Sequence, residues 1–373
     1  MSAIFERSHA TPRKTARPSY FRGCACCQPA LTPANSARRN FLAGGIAALG
    51  LSATAATPGA AQAPAAARRI DVHHHYVPPV HAEALLKYRP DDPGPKWSLQ
   101  ASLDDMEKAG VTTAVLSLVP PGVEFGGIEE ARKLARECND YGAKLVKDYP
   151  GRFGLFATIP LTDSEGSLRE IEYAFDVLKA DGIGLFTSYD GKYLGDASFT
   201  PVFEELNRRK AVVYTHPVVP ACCGHLGYGM GASSIEFATD TTRTIASLIF
   251  AKAGIAFRCP DIRFIWSHSG GTLPFLIGRF IREQMVKKDP RMPDGPVPIV
   301  RKYFYEVAQG NTPEQLAALT QLIPISQVMF GSDFPYRKGV EAVDGLAAYK
   351  FGDADRASID RANALALLPR LAG

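Results

Sequence analysis

Eight short runs rich in β-branched and aromatic residues recur along the chain. Longer stretches of helical periodicity separate them, and this alternation constrains the fold more than any other feature. The runs are RIDVHHH (69–75), VTTAVLSLV (111–119), RFGLFATIP (152–160), GIGLFTS (182–188), AVVYTHP (211–217), IRFIWSH (262–268), YFYEVA (303–308) and VMFGSDF (328–334). Between them, segments such as GIEEARKLARECNDYGAKLVKDY and SIEFATDTTRTIASLIFAKAGI place apolar residues three and four apart, the spacing of an amphipathic helix. Strands alternating with helices predict an α/β fold with a parallel sheet. A doubly wound sheet is the rival, but eight evenly repeated units over a body of about 300 residues favour one (β/α)8 barrel with loop insertions. The Pro-rich stretches RPDDPGPKW (89–97) and KKDPRMPDGPVP (287–298) read as loops within that domain.

The first 68 residues read differently. Residues 1–70 hold nine Lys/Arg and one Glu, so the net charge of +4 belongs to the N-terminus and the remaining body is slightly acidic. A body without basic excess speaks against nucleic-acid binding. Arg38-Arg39, a Gly/Ala-rich apolar run and Ala61-Gln62-Ala63 have the order of a twin-arginine export signal with an A-x-A cleavage site. Residues 1–68 are therefore expected to be a largely disordered leader, and 69–373 the folded domain. An exported, periplasmic location follows, with the cytoplasm as the alternative. The apolar run is too short and Gly-rich for a stable membrane anchor. Cys24, Cys26 and Cys27 lack a fourth ligand for a zinc site. Cys138, Cys222, Cys223 and Cys259 are expected to be buried free thiols.

Four predicted strands end in residues that strands rarely carry. Strand one ends in His73 and His75, strand five in His216, strand six in His268 and strand eight in Asp333. In a barrel all the C-terminal strand ends meet on one face, where active sites are built. Side chains alternate along a strand. His73 and His75 are thus expected to share a face with Asp71, turned to the barrel mouth. His74 is expected on the other face with Ile70 and Val72, packed toward the helices and dispensable for metal. Three imidazoles and a carboxylate suit one divalent metal, with Zn expected and Mn also compatible.

DVHHHYVPP, YTHPVVP, WSHSGGTLPFLIGR and FGSDFP together resemble the amidohydrolase superfamily. More narrowly, they are similar to its aminocarboxymuconate-semialdehyde decarboxylase-like branch, which includes 6-methylsalicylate and γ-resorcylate decarboxylases. The resemblance implies a metal-dependent barrel, usually a homodimer. It implies metal ligation by His73, His75, His216 and Asp333. His268 would be the non-ligating or weakly ligating residue beside them. Arg279, eleven residues after His268, matches an arginine that in some members reaches the neighbouring subunit's site. The second substrate-binding arginine of the muconate enzymes has no match, which argues against a muconate semialdehyde substrate.

Two absences narrow the chemistry. GIGLFTS lacks the lysine of binuclear amidohydrolases, so one metal is expected. No glutamate follows His216 where mononuclear deaminases place their proton shuttle. The function expected is non-oxidative decarboxylation of a small aromatic or unsaturated carboxylic acid of the 2-hydroxybenzoate type. Asp333 or His268 would deliver the proton. Trp97, Tyr214 and Phe334, with Arg279, are the candidate substrate-binding residues, and Trp266 also belongs to the apolar surroundings expected at the mouth. Hydrolysis of an ester, lactone or amide at the same metal is the alternative. A non-catalytic metal-binding or sensor protein is a third reading, disfavoured by the presence of His268. Glu236, Asp240 and Arg243 lie three and four apart on one helix face and read as a structural network or dimer surface.

Overall fold

A computed structural model describes residues 68–91, 94–220, 222–223, 229–231 and 233–372. The leader, with Arg38, Arg39, the cleavage site and the first three cysteines, lies outside the described residues.

All eight predicted strands are present: β1 Arg69–Tyr76, β2 Val111–Leu118, β3 Phe153–Thr158, β4 Gly182–Phe186, β5 Val212–His216, β6 Arg263–Trp266, β7 Phe304–Glu306 and β8 Val328–Met329. They pair in sequence order and all in parallel. The ring closes where the chain beyond β8 meets β1. There Val72 N–H donates to Phe330 O (3.1 Å), Asp333 N–H to His73 O (2.9 Å) and His75 N–H to Phe334 O (2.8 Å). The main crossover helices are α1 Pro79–Tyr88, α2 Leu99–Ala109, α3 Ile128–Asp148, α4 Ser164–Glu172, α5 Thr200–Arg208, α6 Ser233–Phe250, α7 Leu273–Lys287, α8 Pro313–Leu322 and α9 Gly339–Ala348. Local chemistry sets their ends. The Ser98 hydroxyl accepts from Ala101 N–H at the start of α2, and Gly110 ends that helix at φ 65°, where a β-carbon would be strained. Among the described residues no helix is long and apolar enough to cross a membrane.

Two apolar layers result. Ile70, Val72, Val115, Phe156, Val212, Tyr214, Ile265 and Met329 form one cluster with Ala364, Leu367, Leu368 and Leu371. Only the inside of a barrel brings side chains from so many strands together, so these residues fill the barrel, with the C-terminal segment packed against them. The larger cluster, including Ala114, Leu116, Leu155, Val213, Phe264 and Trp266, lies between strands and helices. Each buried Val, Leu, Ile, Phe or Met side chain among them contributes roughly 1.5–3 kcal/mol.

The strict alternation expected along β1 does not hold. Asp71 pairs with Ala114 and His74 with Leu116, so three residue steps on β1 span two on β2. This β-bulge exchanges the two faces at its site. Before it, Ile70 and Val72 point into the barrel and Asp71 points out. After it, His73 and His75 point in while His74 and Tyr76 point out, Tyr76 donating to Cys138 O on α3. The split of the three histidines stands as expected. Asp71 and the two aliphatic residues lie on the faces opposite to those expected.

Candidate metal centre

His73, His75, His216, His268 and Asp333 meet at the C-terminal mouth, all buried. One ligand atom from each of His73, His216, His268 and Asp333 lies within 4.8 Å of every other. His75 Nε2 is 3.0 Å from His73 Nε2 and 3.2 Å from Asp333 Oδ1. Asp333 Oδ1 is also 3.0 Å from His73 Nε2 and 3.8 Å from His216 Nε2. His268, expected beside the ligands as a non-ligating or weakly ligating residue, offers a ligand atom to the same group, and His75 lies against it through His73 and Asp333.

Backbone turns aim two of these side chains. β6 stops at Trp266, whose side chain faces the outer layer, not the mouth expected of it. A left-handed turn through His268 (φ 53°) and Ser269 (φ 56°) then swings the imidazole inward. Gly271 makes room, since a β-carbon there would lie 2.0 Å from Ala238 O. Asp333 is likewise left-handed at φ 65°, a conformation that Asp tolerates better than most residues.

Each imidazole has its Nδ1 committed outward. His73 Nδ1 faces Glu306 Oε1 (2.9 Å), His75 Nδ1 Ser117 O (3.3 Å), His216 Nδ1 Pro217 O (2.7 Å) and His268 Nδ1 Ala308 O (2.9 Å). A carbonyl or carboxylate oxygen can only accept, so each Nδ1 carries a proton and each Nε2 is the atom left to present a lone pair to a cation, on His73 once its second proton is displaced. His216 Nε2, His268 Nε2 and Asp333 Oδ1 are buried without a hydrogen-bond partner. Buried lone pairs aimed at one another are costly unless a cation lies among them. Outward-anchored imidazoles are the usual arrangement around a metal. The donor set, nitrogen with one carboxylate, fits a divalent transition-metal ion.

The electrostatics agree. Burial opposes charge on His73, yet Glu306 and Asp333 outweigh it and raise its pKa to about 10. Burial lowers His75, and His216 well below the ordinary histidine range, leaving both neutral at pH 7. Burial pushes the Asp333 carboxyl up, but charged His73 and the neighbouring imidazoles hold it well below the usual carboxylate range. The two carboxylates therefore favour positive charge at His73, while burial keeps His75 and His216 neutral.

Glu306 is the residue that sequence reading missed. It ends β7 and accepts from His73 Nδ1 and from the backbone N–H groups of His268 and Ala308 (both 2.6 Å). Its signal was the same as that of the histidines: a charged residue in an apolar strand, YFYEVA. Gly331 is required opposite it, since a β-carbon there would lie 2.0 Å from Glu306 Oε2. Gln309 was also missed. It lines the cleft and donates its amide N–H to Asp333 Oδ2.

Asp333 is where the cluster opens to a cleft of about 880 Å³, whose walls include Pro120, Val218, Phe237, Tyr336, Arg89 and Arg337. The Phe237 ring is 5.5 Å from that of His216. The aromatic residues expected here lie elsewhere. Tyr214 stacks on Phe156 inside the barrel, its ring 5.3 Å from that of His73. Phe334 stacks on His74, on the outward side. Trp97 packs against Tyr141 of α3. Strand, loop and helix neighbours cover these rings, Trp97 being only half-buried, and none of the three lines the cleft. Arg279 is exposed on α7, away from this chain's cleft lining. Cys138 and Cys259 are buried as expected, whereas Cys222 is exposed and Cys223 half-buried. Asp240 accepts from Thr187 Oγ1 and from Tyr193 OH (2.7 Å), and Arg243 pairs with Glu236 at 3.4 Å, a structural network as expected.

Comparison with known proteins gives a consistent result. The family model described as amidohydrolase matches residues 70–370. The chain is 35% identical over 322 residues to a 6-methylsalicylic acid decarboxylase of Penicillium expansum, covering 82% of this chain and 97% of the relative. A crystal structure of an amidohydrolase II superposes with a TM-score of 0.74 at 27% identity, covering 81% of this chain and 99% of the other. A dihydroxybenzoic acid decarboxylase from Polaromonas sp., with bound manganese and the inhibitor 2-nitroresorcinol, shares the fold at a TM-score of 0.71 and 22% identity, over 81% and 97% of the two chains. The chain belongs to the amidohydrolase family.

Proposed function

We propose that the protein is a metal-dependent, non-oxidative decarboxylase of a 2-hydroxybenzoate-like aromatic acid. The observation that carries this reading is Asp333: its Oδ1 lies within 3.8 Å of three imidazoles, His268 completes the group, and the residue lines the cleft. Identity of 35% to a 6-methylsalicylic acid decarboxylase over nearly the whole of that relative supports the substrate class.

His73, His216, His268 and Asp333, with His75, would hold one divalent ion, which would supply Lewis acidity and a template for a carboxylate beside a phenolic oxygen. The chain's own residues do the rest. Asp333 is an anion at neutral pH, held so by His73, and takes up the phenolic proton. The Gln309 amide fixes its second oxygen. Asp333 then returns the proton to the ring carbon that bears the carboxylate. The carbon–carboxylate bond breaks, its electron pair stays with the ring, and CO2 leaves. His268 cannot donate from Nδ1, which is committed to Ala308 O. Pro120, Val218 and Phe237 offer apolar walls to a flat ring, and Arg89 and Arg337 add positive charge to the cleft.

The finer readings belong here too. Four imidazoles favour zinc, while manganese stands in a solved structure of the same fold; elemental analysis of the purified protein decides between them. A homodimer is supported by exposed Phe275, Met285 and Val286 on the helix that carries exposed Arg279, and the mass in solution tests it. Export is supported by the order of residues 38–63, and cell fractionation tests it.

The functional test is a panel of 2-hydroxybenzoates given to the metal-loaded protein. Release of CO2 and the matching phenol in equal amounts is expected. Hydrolysis of lactones or esters with no CO2 from any aromatic acid would overturn the reading.

A further inference from the structure

The bulge that turns His73 into the barrel is held from outside by side chains that do not face the metal centre. Asp71 Oδ1 accepts from the backbone N–H of His73 and of Ser332, each at 3.0 Å. Asp71 Oδ2 accepts from the Ser332 hydroxyl (2.5 Å) and from His74 Nδ1 (3.0 Å). His74 Nε2 in turn accepts from Ser102 Oγ of α2 (2.6 Å). The His74 ring stacks on Phe334, with centroids 4.8 Å apart and an interplanar angle of 15°. Asp71, His74 and Ser102 line up as a nucleophilic triad would, but Ser102 is wholly buried. No substrate reaches its hydroxyl, so the relay is not a second active site.

We propose that Asp71 and His74 are positioning residues for the metal centre, an inference that rests on the metal-site reading above. One buried carboxylate ties together two ligand-bearing segments: β1 at His73, and the loop that carries Asp333. Both segments meet only at the seam where the barrel closes, and β8 itself is two residues long. Among the described residues, backbone pairing across the seam is confined to three hydrogen bonds and one isolated bridge, His74 to Phe334, and the Asp71 carboxylate adds to them. A buried carboxylate keeps one orientation only while its donors hold it, and His74 supplies one of the four. Loss of that donor loosens the hold on the His73 and Ser332 backbones, and the ligand atoms of His73 and Asp333 drift together. His74 faces away from the metal, yet it is not dispensable for metal.

Two substitutions separate this role from simple packing. His74→Phe keeps an aromatic ring against Phe334 but has no donor. His74→Asn loses the ring but keeps an amide N–H near the position of Nδ1. Metal affinity is read by competition with a chromophoric chelator, and ligand geometry by the visible bands of the cobalt-loaded protein. H74F is expected to lose roughly 10–100-fold in affinity, the usual effect of removing a group that orients ligands, with altered cobalt bands. H74N is expected to recover most of the affinity and the wild-type bands. Wild-type affinity and bands in H74F would overturn the inference, as would equal weakening in both variants. Should H74F not fold, Ser332→Ala removes a hydroxyl donor to the same Asp71 oxygen without loss of a ring, and wild-type affinity there would overturn it. A wild type that binds no divalent cation overturns the metal reading and this inference with it. A wild type that binds while H74F matches it overturns this inference alone.

Discussion

The metal centre is built from polar residues placed where the fold has little tolerance for them. Its most economical residue is Glu306, whose two oxygens orient His73 and hold the turn at His268 together. In Glu306→Gln, one of these acceptors becomes an amide N–H facing another N–H. The expected result is a loss of about 10–100-fold in metal affinity with the fold retained, measured by chelator competition and circular dichroism. Unchanged affinity would show that His73 does not need its anchor. Most of the centre was legible in the sequence, because His73, His75, His216, His268 and Asp333 all fall at ends of apolar runs. Glu306 was legible by the same rule, as the one charged residue in the run YFYEVA. Trp97, Tyr214 and Phe334 illustrate the limit. An aromatic residue near a strand end packs against whatever is nearest, and the sequence does not say whether that is substrate, helix or neighbouring strand.

At the scale of elements, β5 alternates regularly, with Val212, Tyr214 and His216 on its inward face, whereas the alternation expected of β1 is broken where the bulge between Asp71 and His74 exchanges the faces. Beyond β6 it is a left-handed turn, not strand alternation, that aims His268 at the mouth where it was expected. Bulges and left-handed turns depend on partners far along the chain, here Ser332 and Ala308, and so leave little local signal. Helix ends do leave one. Thr312 and Gln315 form a reciprocal capping box at the start of α8. Thr312→Ala is expected to cost about 1 kcal/mol in a chemical denaturation with full metal content. Loss of metal in this variant would show that α8 bears on the centre, contrary to the geometry described here.

The whole molecule gathers ligands from strands separated by up to 260 residues of chain, so the centre exists only in the folded state and metal binding stabilises that state. Folding also fixes the proton balance. His73 keeps its proton up to about pH 10, because Glu306 and Asp333 outweigh burial, whereas burial already holds His75 and His216 neutral. A cation must displace the proton on His73. Binding at pH 7 is thus expected to release close to one proton per chain, and affinity to rise with pH until about pH 10. Titration calorimetry in buffers of different ionisation enthalpy counts that proton, and a count of zero would contradict the charge balance. Whether this centre exchanges a ring carboxylate for a proton is read most directly by running the reaction in heavy water with a 2-hydroxybenzoate. CO2 and a phenol carrying one deuteron at the carbon that lost the carboxylate are expected, with both products abolished by chelation. Undiminished turnover after the metal is removed, or no CO2 from any such acid while esters are cleaved, would contradict that exchange at a metal.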